Sequence, residues 1–387
     1  ALAGKLYPHG IPIHSEEELA ALIKKHGVEE VVFAYSDIKH TTVMNRASQV
    51  LAAGADFSLL GPEATMIRSR KPLLSVCAVR TGSGKSQTSR KAARLLKAKG
   101  RQVAVIRHPM PYGNLVEQKV QRFAVYEDLE RNKCTIEERE EYEPHIKEGI
   151  IVYAGVDYQA ILDQAEKEAD VILWDGGNND FPFYKSDLEI VVADPHRAGH
   201  EFLYHPGETN FRRAQVVVIN KMDTAPREKV EQVLSNLKKV NPQAKVIKAN
   251  SKIIVPDGQQ IRGKTVLVVE DGPTVTHGEM TFGAGYVAAQ RNGAKTIIDP
   301  RPFAVGSIKE TFRKYSHLDK VLPAMGYSAS QVRELAQTIE KSDCQLVVSG
   351  TPIDLSRLIE THKPILPVRY ELDEIGHPNL EDVLKRF

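Results

Sequence analysis

The run Val79-Arg-Thr-Gly-Ser-Gly-Lys-Ser86 constrains this chain more than any other, because it joins an apolar strand to a helix. Leu73–Val79 lacks polar alternation, as a strand covered on both faces should. From Lys85 to about Lys99 the spacing is helical. Gly82 and Gly84 let the backbone turn tightly, so successive amides point inward at a phosphate. The helix that follows adds its positive N-terminal end. In such a loop Lys85 reaches the β- and γ-phosphates and the Ser86 hydroxyl binds Mg2+. The expected nucleotide-binding stretch is therefore Thr81, Gly82, Ser83, Gly84, Lys85, Ser86 and Gln87. Val79 stands where the usual pattern has a glycine.

Strand and helix patterns alternate along the whole chain, which predicts an α/β fold: a nucleotide-binding domain with a parallel sheet, flanked by two further α/β units. Three units are expected over 387 residues: 1–70, a partial Rossmann-like domain whose first strand is absent; 71–262, the phosphate-loop domain; and 263–387, an α/β domain suited to binding a small substrate. The charged stretch Glu127–Glu148 reads as a helical, solvated insertion. Lys plus Arg is 52 against 50 for Asp plus Glu, so bulk charge gives no warrant for a nucleic-acid or membrane partner. No apolar run approaches the ~20 residues that cross a bilayer. Cys77, Cys134 and Cys344 form no CxxC pair, which argues against a disulfide framework or zinc site and fits a reducing cytoplasm.

Two strand ends extend the phosphate site. Val171-Ile-Leu-Trp-Asp175 places a carboxylate where it can hold the Mg2+ shell with Ser86. Val216-Val-Val-Ile-Asn220-Lys-Met-Asp223 resembles the NKxD signature of GTPases. There Asp223 accepts from guanine N1–H and the exocyclic amine, Asn220 bonds the other edge and the Lys221 stem stacks on the ring. Asn250, after the next strand, supplies a backbone amide. This order favours GTP over ATP. Arg80 has two readings: a basic residue that crosses a dimer interface to the phosphates, as in the MinD-like class, or charge compensation within its own chain. Elsewhere, Arg107 and His108 suit a second anionic group, as do Asp271, Thr274, His277 and Arg301 in strand-end loops of the last unit. His196 and His200 stand in a loop after a strand rather than on a helix and make a poor zinc site.

Together, Arg80–Ser86, Arg107-His-Pro-Met-Pro-Tyr-Gly113, Trp174-Asp-Gly-Gly-Asn-Asn-Asp180 and Glu270-Asp-Gly-Pro-Thr-Val-Thr-His277 resemble the cyclic 2,3-diphosphoglycerate synthetases and their related predicted GTPases. The resemblance covers nearly the whole chain. It implies an ATP-dependent synthetase that closes a phosphoanhydride in 2,3-bisphosphoglycerate, with Mg2+ required and K+ helpful, in a homodimer. In that reaction Lys85, Asp175 and Arg80 serve catalysis, and Arg107, His108 and Arg301 hold the anionic substrate. The rival reading is a GTPase switch or maturation factor that acts on a protein partner.

Overall fold

The computed structural model of the chain describes residues 3–4, 6–108, 110, 113–177, 180–325 and 328–387. Pro109, Pro111, Tyr112, Asn178 and Asn179, from two of the motifs above, lie outside the described residues. The fold is α/β, dominated by a nine-stranded sheet. Its strands are β1 (Leu73–Ala78), β2 (Val103–Arg107), β3 (Gln121–Phe123), β4 (Ile151–Ala154), β5 (Val171–Asp175), β6 (Leu188–Ala193), β7 (Val216–Ile219) and β8 (Lys245–Ile254). The second sheet has β9 (Thr265–Asp271), β10 (Thr296–Ile297), β11 (Leu322–Ala324), β12 (Leu346–Ser349) and β13 (Ile365–Pro367), and β14 (Arg369–Glu374) returns to the first.

The large sheet runs β14-β8-β7-β6-β1-β5-β2-β4-β3, parallel except at its two edges. Strand β1 is central and wholly buried, with β5 on one side and β6 on the other. The loop that leaves β1 therefore opens at the point where strand order reverses, the crevice in which open α/β sheets take their ligands. Helix α1 (Lys85–Ala98) follows the loop and buries Ala92, Ala93 and Leu96 against the sheet. The all-parallel second sheet runs β10-β9-β12-β13, with β11 on the far part of β9. At the N-terminal end, Glu30–Val32 pairs in parallel with Asp56–Ser58, and Ile38–Lys39 pairs with Tyr204–His205 of the large unit. Among the described residues no helix is long and apolar enough to cross a membrane.

Two segments depart from the sequence expectations. Strand β14 pairs antiparallel with β8, so the stretch after 263 serves both sheets. Helix α2 (Ile136–Lys147), in the stretch expected to be solvated, is packed between them. Ile136 belongs to the core of the second sheet, while Tyr142 and Ile146 belong to that of the first. Its acidic residues tolerate burial because they have partners. Thr351 donates to Glu140 at 2.7 Å, Tyr126 to Glu143 at 2.9 Å, and Glu138 closes a capping box on Thr135.

The C-terminal residues complete the core under α1, where Leu372, Leu380, Val383, Leu384 and Phe387 pack with Leu96. Leu384→Ala is expected to cost about 2–5 kcal/mol of stability, visible as a lower urea midpoint with an unchanged slope.

Candidate active site

A loop that turns its amides inward turns its carbonyls outward, and each outward group here has a partner. Lys221 Nζ donates to the Gly82 carbonyl at 2.7 Å and pairs with Asp194 at 2.8 Å. Asn220 donates its amide to the Ser83 carbonyl at 3.0 Å, and Arg197 reaches the Ser83 hydroxyl at 3.2 Å. Gly84 has φ +110°, and a Cβ on it would run into the Asn220 amide, so glycine is required there. From the N-terminal unit, Asp37 accepts from Arg80 Nε at 2.8 Å and from the Thr81 hydroxyl at 3.0 Å.

These contacts revise two expectations. Asn220 is fully buried and gives its amide nitrogen to the loop, while its Oδ1 has no hydrogen-bond partner among the described residues, and it does not line the cleft that the loop faces. Arg80 is turned away from the phosphate site: its guanidinium also meets His200 Nδ1 at 2.9 Å and lies 3.6 Å from the centre of the Tyr204 ring. It is 3% exposed and ties its own chain together, in keeping with charge compensation within the chain.

The loop faces a cleft of 320 Å³ between the two sheets. Beneath the lining residues Lys85 and Arg107, Asp175 is wholly buried, with Lys85 Nζ at 4.0 Å and Arg107 Nη1 at 2.9 Å from Oδ1, and His145 Nε2 at 3.4 Å from Oδ2. Burial pushes the Asp175 pKa up, but Arg107, His145 and Lys85 overcome this and hold it well below the usual carboxylate range. The carboxylate is therefore ionised and, with the Ser86 hydroxyl, presents the hard oxygen donors that suit Mg2+. Helix α2 supplies Glu141, which pairs with Arg107 Nη2 at 2.8 Å and accepts from Ser86 Oγ at 3.4 Å.

At the far end of the loop, Lys221, Thr224, His196, Ser251 and Ile253 line the cleft. Gln87 donates to Ser251 Oγ at 3.2 Å. Asn250 precedes this serine on β8 but is not a lining residue, and Asp223 is drawn to Arg291 at 3.5 Å.

The wall opposite the loop is acidic. Glu137 and Glu141 come from α2, Glu270 and Asp271 from the end of β9, and Thr274 and His277 stand beside them. Burial pushes Glu270 up to about 7, although the amides of Gly283, Gly285 and Tyr286 all donate to it. Burial likewise raises Asp271, which accepts from Thr274 at 2.7 Å, and Glu140, to which Asp271 is a charged neighbour. Of the residues expected to hold an anion, Arg107, His108, Asp271, Thr274 and His277 line this cleft and Arg301 does not. Arg107 is 1% exposed and neutralised by Asp175 and Glu141. Arg301 is committed to Asp299 at 2.7 Å and lies outside the cleft lining, while His108 lines the cleft and pairs with Asp180 at 3.2 Å. The acidic wall was not read from the sequence, although Glu137, Glu141 and His145 recur at i, i+4, the spacing of one helix face.

Over its full length the chain is 61% identical to a protein named arginine synthetase ArcE from Thermococcus kodakarensis, covering 86% of that protein. The chain belongs to the arginine synthetase family. The relative's name is that of a synthetase, the class that the resemblance implied. No family model matches the chain. Among solved structures, LpxK from Aquifex aeolicus with ATP is 14% identical, with a TM-score of 0.49 over 89% of this chain and 95% of that one. The hydrogenase maturation factor HypB from Archaeoglobus fulgidus is 16% identical, with a TM-score of 0.31 over 46% of this chain and 81% of that one. As a member of a synthetase family with a strand, phosphate loop and helix in series, the chain is a nucleotide-dependent enzyme.

Burial, then Arg80 and Arg197, depress His200 from its ordinary 6.5 to about 4. A neutral Nδ1 can accept from Arg80, whereas a protonated one cannot. The unfolded chain binds this proton first, so stability should fall as pH drops from about 6.5 toward 4. His200→Asn should flatten that part of the pH profile in urea unfolding; an unchanged slope would remove His200 from it.

Proposed function

We propose that this chain forms arginine from a urea-bearing amino acid, citrulline, using the γ-phosphate held at its phosphate loop. The observation that carries the reading is the charge of the cleft. The wall facing Lys85 is built from Glu137, Glu141, Glu270 and Asp271, and among the described residues no lysine or arginine of the second sheet's unit lines it. A polyanion such as 2,3-bisphosphoglycerate would meet repulsion there, whereas a urea that becomes a guanidinium meets attraction. The family's named product is a guanidinium compound, which agrees with that wall.

The chemistry follows from what separates the two ends of the reaction. A urea differs from a guanidinium by one oxygen in place of nitrogen, and the oxygen is a poor leaving group. Transfer of the γ-phosphoryl group to the urea oxygen releases the nucleoside diphosphate and makes that oxygen part of a phosphate. Ammonia then attacks the carbon, the C–O bond breaks, inorganic phosphate departs with the urea oxygen, and arginine remains. Lys85 and the loop amides bind the phosphates and orient the γ-phosphoryl group toward the acidic wall. Ser86 and Asp175 would hold magnesium, which when bound neutralises charge on the phosphate oxygens. Carboxylates of the wall orient the urea nitrogens by accepting their N–H bonds.

ATP suits the site at least as well as GTP, against the preference drawn from the NKxD match. Asn220 and Lys221 serve the loop, and Asp223 pairs with Arg291 at 3.5 Å, so selecting guanine would require that ion pair to open.

The test is nucleotide turnover with citrulline and ammonium, with arginine read by mass spectrometry. Arginine and phosphate should form in equal amounts, and 2,3-bisphosphoglycerate should give no cyclic product; the opposite pattern would overturn the reading. Lys85→Ala should lower kcat by at least about 100-fold. Asp223→Ala should change kcat/KM for ATP and GTP alike, by less than about threefold, whereas a selective loss with GTP of about tenfold would restore the guanine reading.

A further inference from the structure

We infer that Glu141 of helix α2 is a third protein ligand of the magnesium site, added to Ser86 and Asp175. Its carboxylate accepts from the Ser86 hydroxyl at 3.4 Å, so it lies beside the oxygen that the phosphate-loop pattern gives to the cation. Arg107 marks the same spot. One guanidinium, 1% exposed, spans Glu141 Oε1 at 2.8 Å and Asp175 Oδ1 at 2.9 Å, two carboxylates from different elements that converge beside Lys85. Arg107 holds both carboxylates side by side, and with the Ser86 hydroxyl they form the oxygen-only donor set that favours a hard divalent cation.

The rest of α2 positions Glu141. His145, one turn on, faces Asp175 at 3.4 Å, and Glu137, one turn back, lines the cleft toward Asp271. The helix is pinned at one end in the second sheet's core through Ile136 and at the other in the first through Tyr142 and Ile146. Thr351 holds Glu140 on the flank of the same helix at 2.7 Å. A ligand on such a helix ties the metal that orients the phosphates to the element that lines the substrate side. Occupancy of the nucleotide site is thereby linked to the geometry of the acidic wall.

This rests on the nucleotide reading of the loop but not on the identity of the amino acid, so the test omits that substrate. Electron paramagnetic resonance of Mn2+ titrated with ADP into the full chain reads the metal directly. Glu141→Gln should weaken Mn2+ binding in the ADP complex by about tenfold or more, and Ser86→Ala should do the same. ADP affinity measured without metal should stay within about twofold of the parent, since Glu141 acts through the cation. Glu130→Gln, on an exposed position outside the cleft, should change neither value. Glu141→Asp keeps a charge against Arg107 while withdrawing the carboxylate, and should also weaken Mn2+. If Glu141→Asp binds Mn2+ as the parent does, or Glu141→Gln loses metal-free ADP affinity as severely as Mn2+ affinity, Glu141 is only a partner of Arg107 and the inference fails. A chain that binds ADP–Mn2+ as expected yet makes no arginine would instead refute the substrate reading alone.

Discussion

A phosphate-binding loop exposes its amides to the ligand only if something else holds its other face. Here that support comes from everywhere except the loop. Lys221 and Asn220 take the carbonyls of Gly82 and Ser83, Arg197 takes the Ser83 hydroxyl, and Asp37 takes Arg80 and Thr81. Arg197 follows β6, the neighbour of β1, Asn220 and Lys221 follow β7, one strand further out, and Asp37 comes from the N-terminal unit. The turn also presses against the second unit, where a Cβ on Gly82 would lie 3.2 Å from the Thr274 side chain. A backbone cradle of this kind is preorganised, so binding phosphate costs little further ordering.

Charge is arranged with the same economy of position. Buried carboxylates are costly unless paired, and Asp175 is kept ionised by Arg107, His145 and Lys85 together. Across the cleft the balance reverses: burial raises Glu270, Asp271 and Glu140, so protons are more readily held there. The cleft thus grades from a floor that favours ionised oxygen donors to a wall where carboxyls titrate more easily. Helix α2 spans that gradient because it belongs to both cores.

Much of this was legible in the sequence, for physical reasons that also explain the gaps. Parallel strands such as Val216–Ile219 are apolar on both faces, and the glycines, Lys85 and Ser86 are fixed by backbone and phosphate geometry, so these read directly. Helix α2 did not. Its buried face carries Glu137, Glu141 and His145, and hydrophobic periodicity is blind to a face buried through polar partners drawn from distant segments. Strand β14, Arg-Tyr-Glu-Leu-Asp-Glu, alternates charge and sits at an edge, so it looks like a solvated tail. Arg80 shows a different limit. Its place in the loop invites a phosphate role, yet its direction is set by Asp37, which adopts φ +53° in a turn 43 residues earlier. Arg107 misled in the same way: its charge is visible in the sequence, but the two carboxylates that spend it are not.

The acidic wall also bears on why a synthetase would be built this way. Citrulline's urea is neutral in the ground state, and on the proposed route it gains positive character as its oxygen takes the phosphoryl group and again as nitrogen replaces oxygen. Carboxylates aimed at that carbon therefore act more strongly on the developing cation than on the bound substrate, which is the condition for lowering a barrier rather than merely tightening binding. Lys85 and the loop amides act in the opposite sense on the phosphate, where negative charge shifts toward the departing diphosphate. Opposed fields across one cleft favour separating charge along the transfer direction. A polyanionic substrate would gain nothing from the wall. On the proposed route, the residues that would repel it are those that would assist a guanidinium to form.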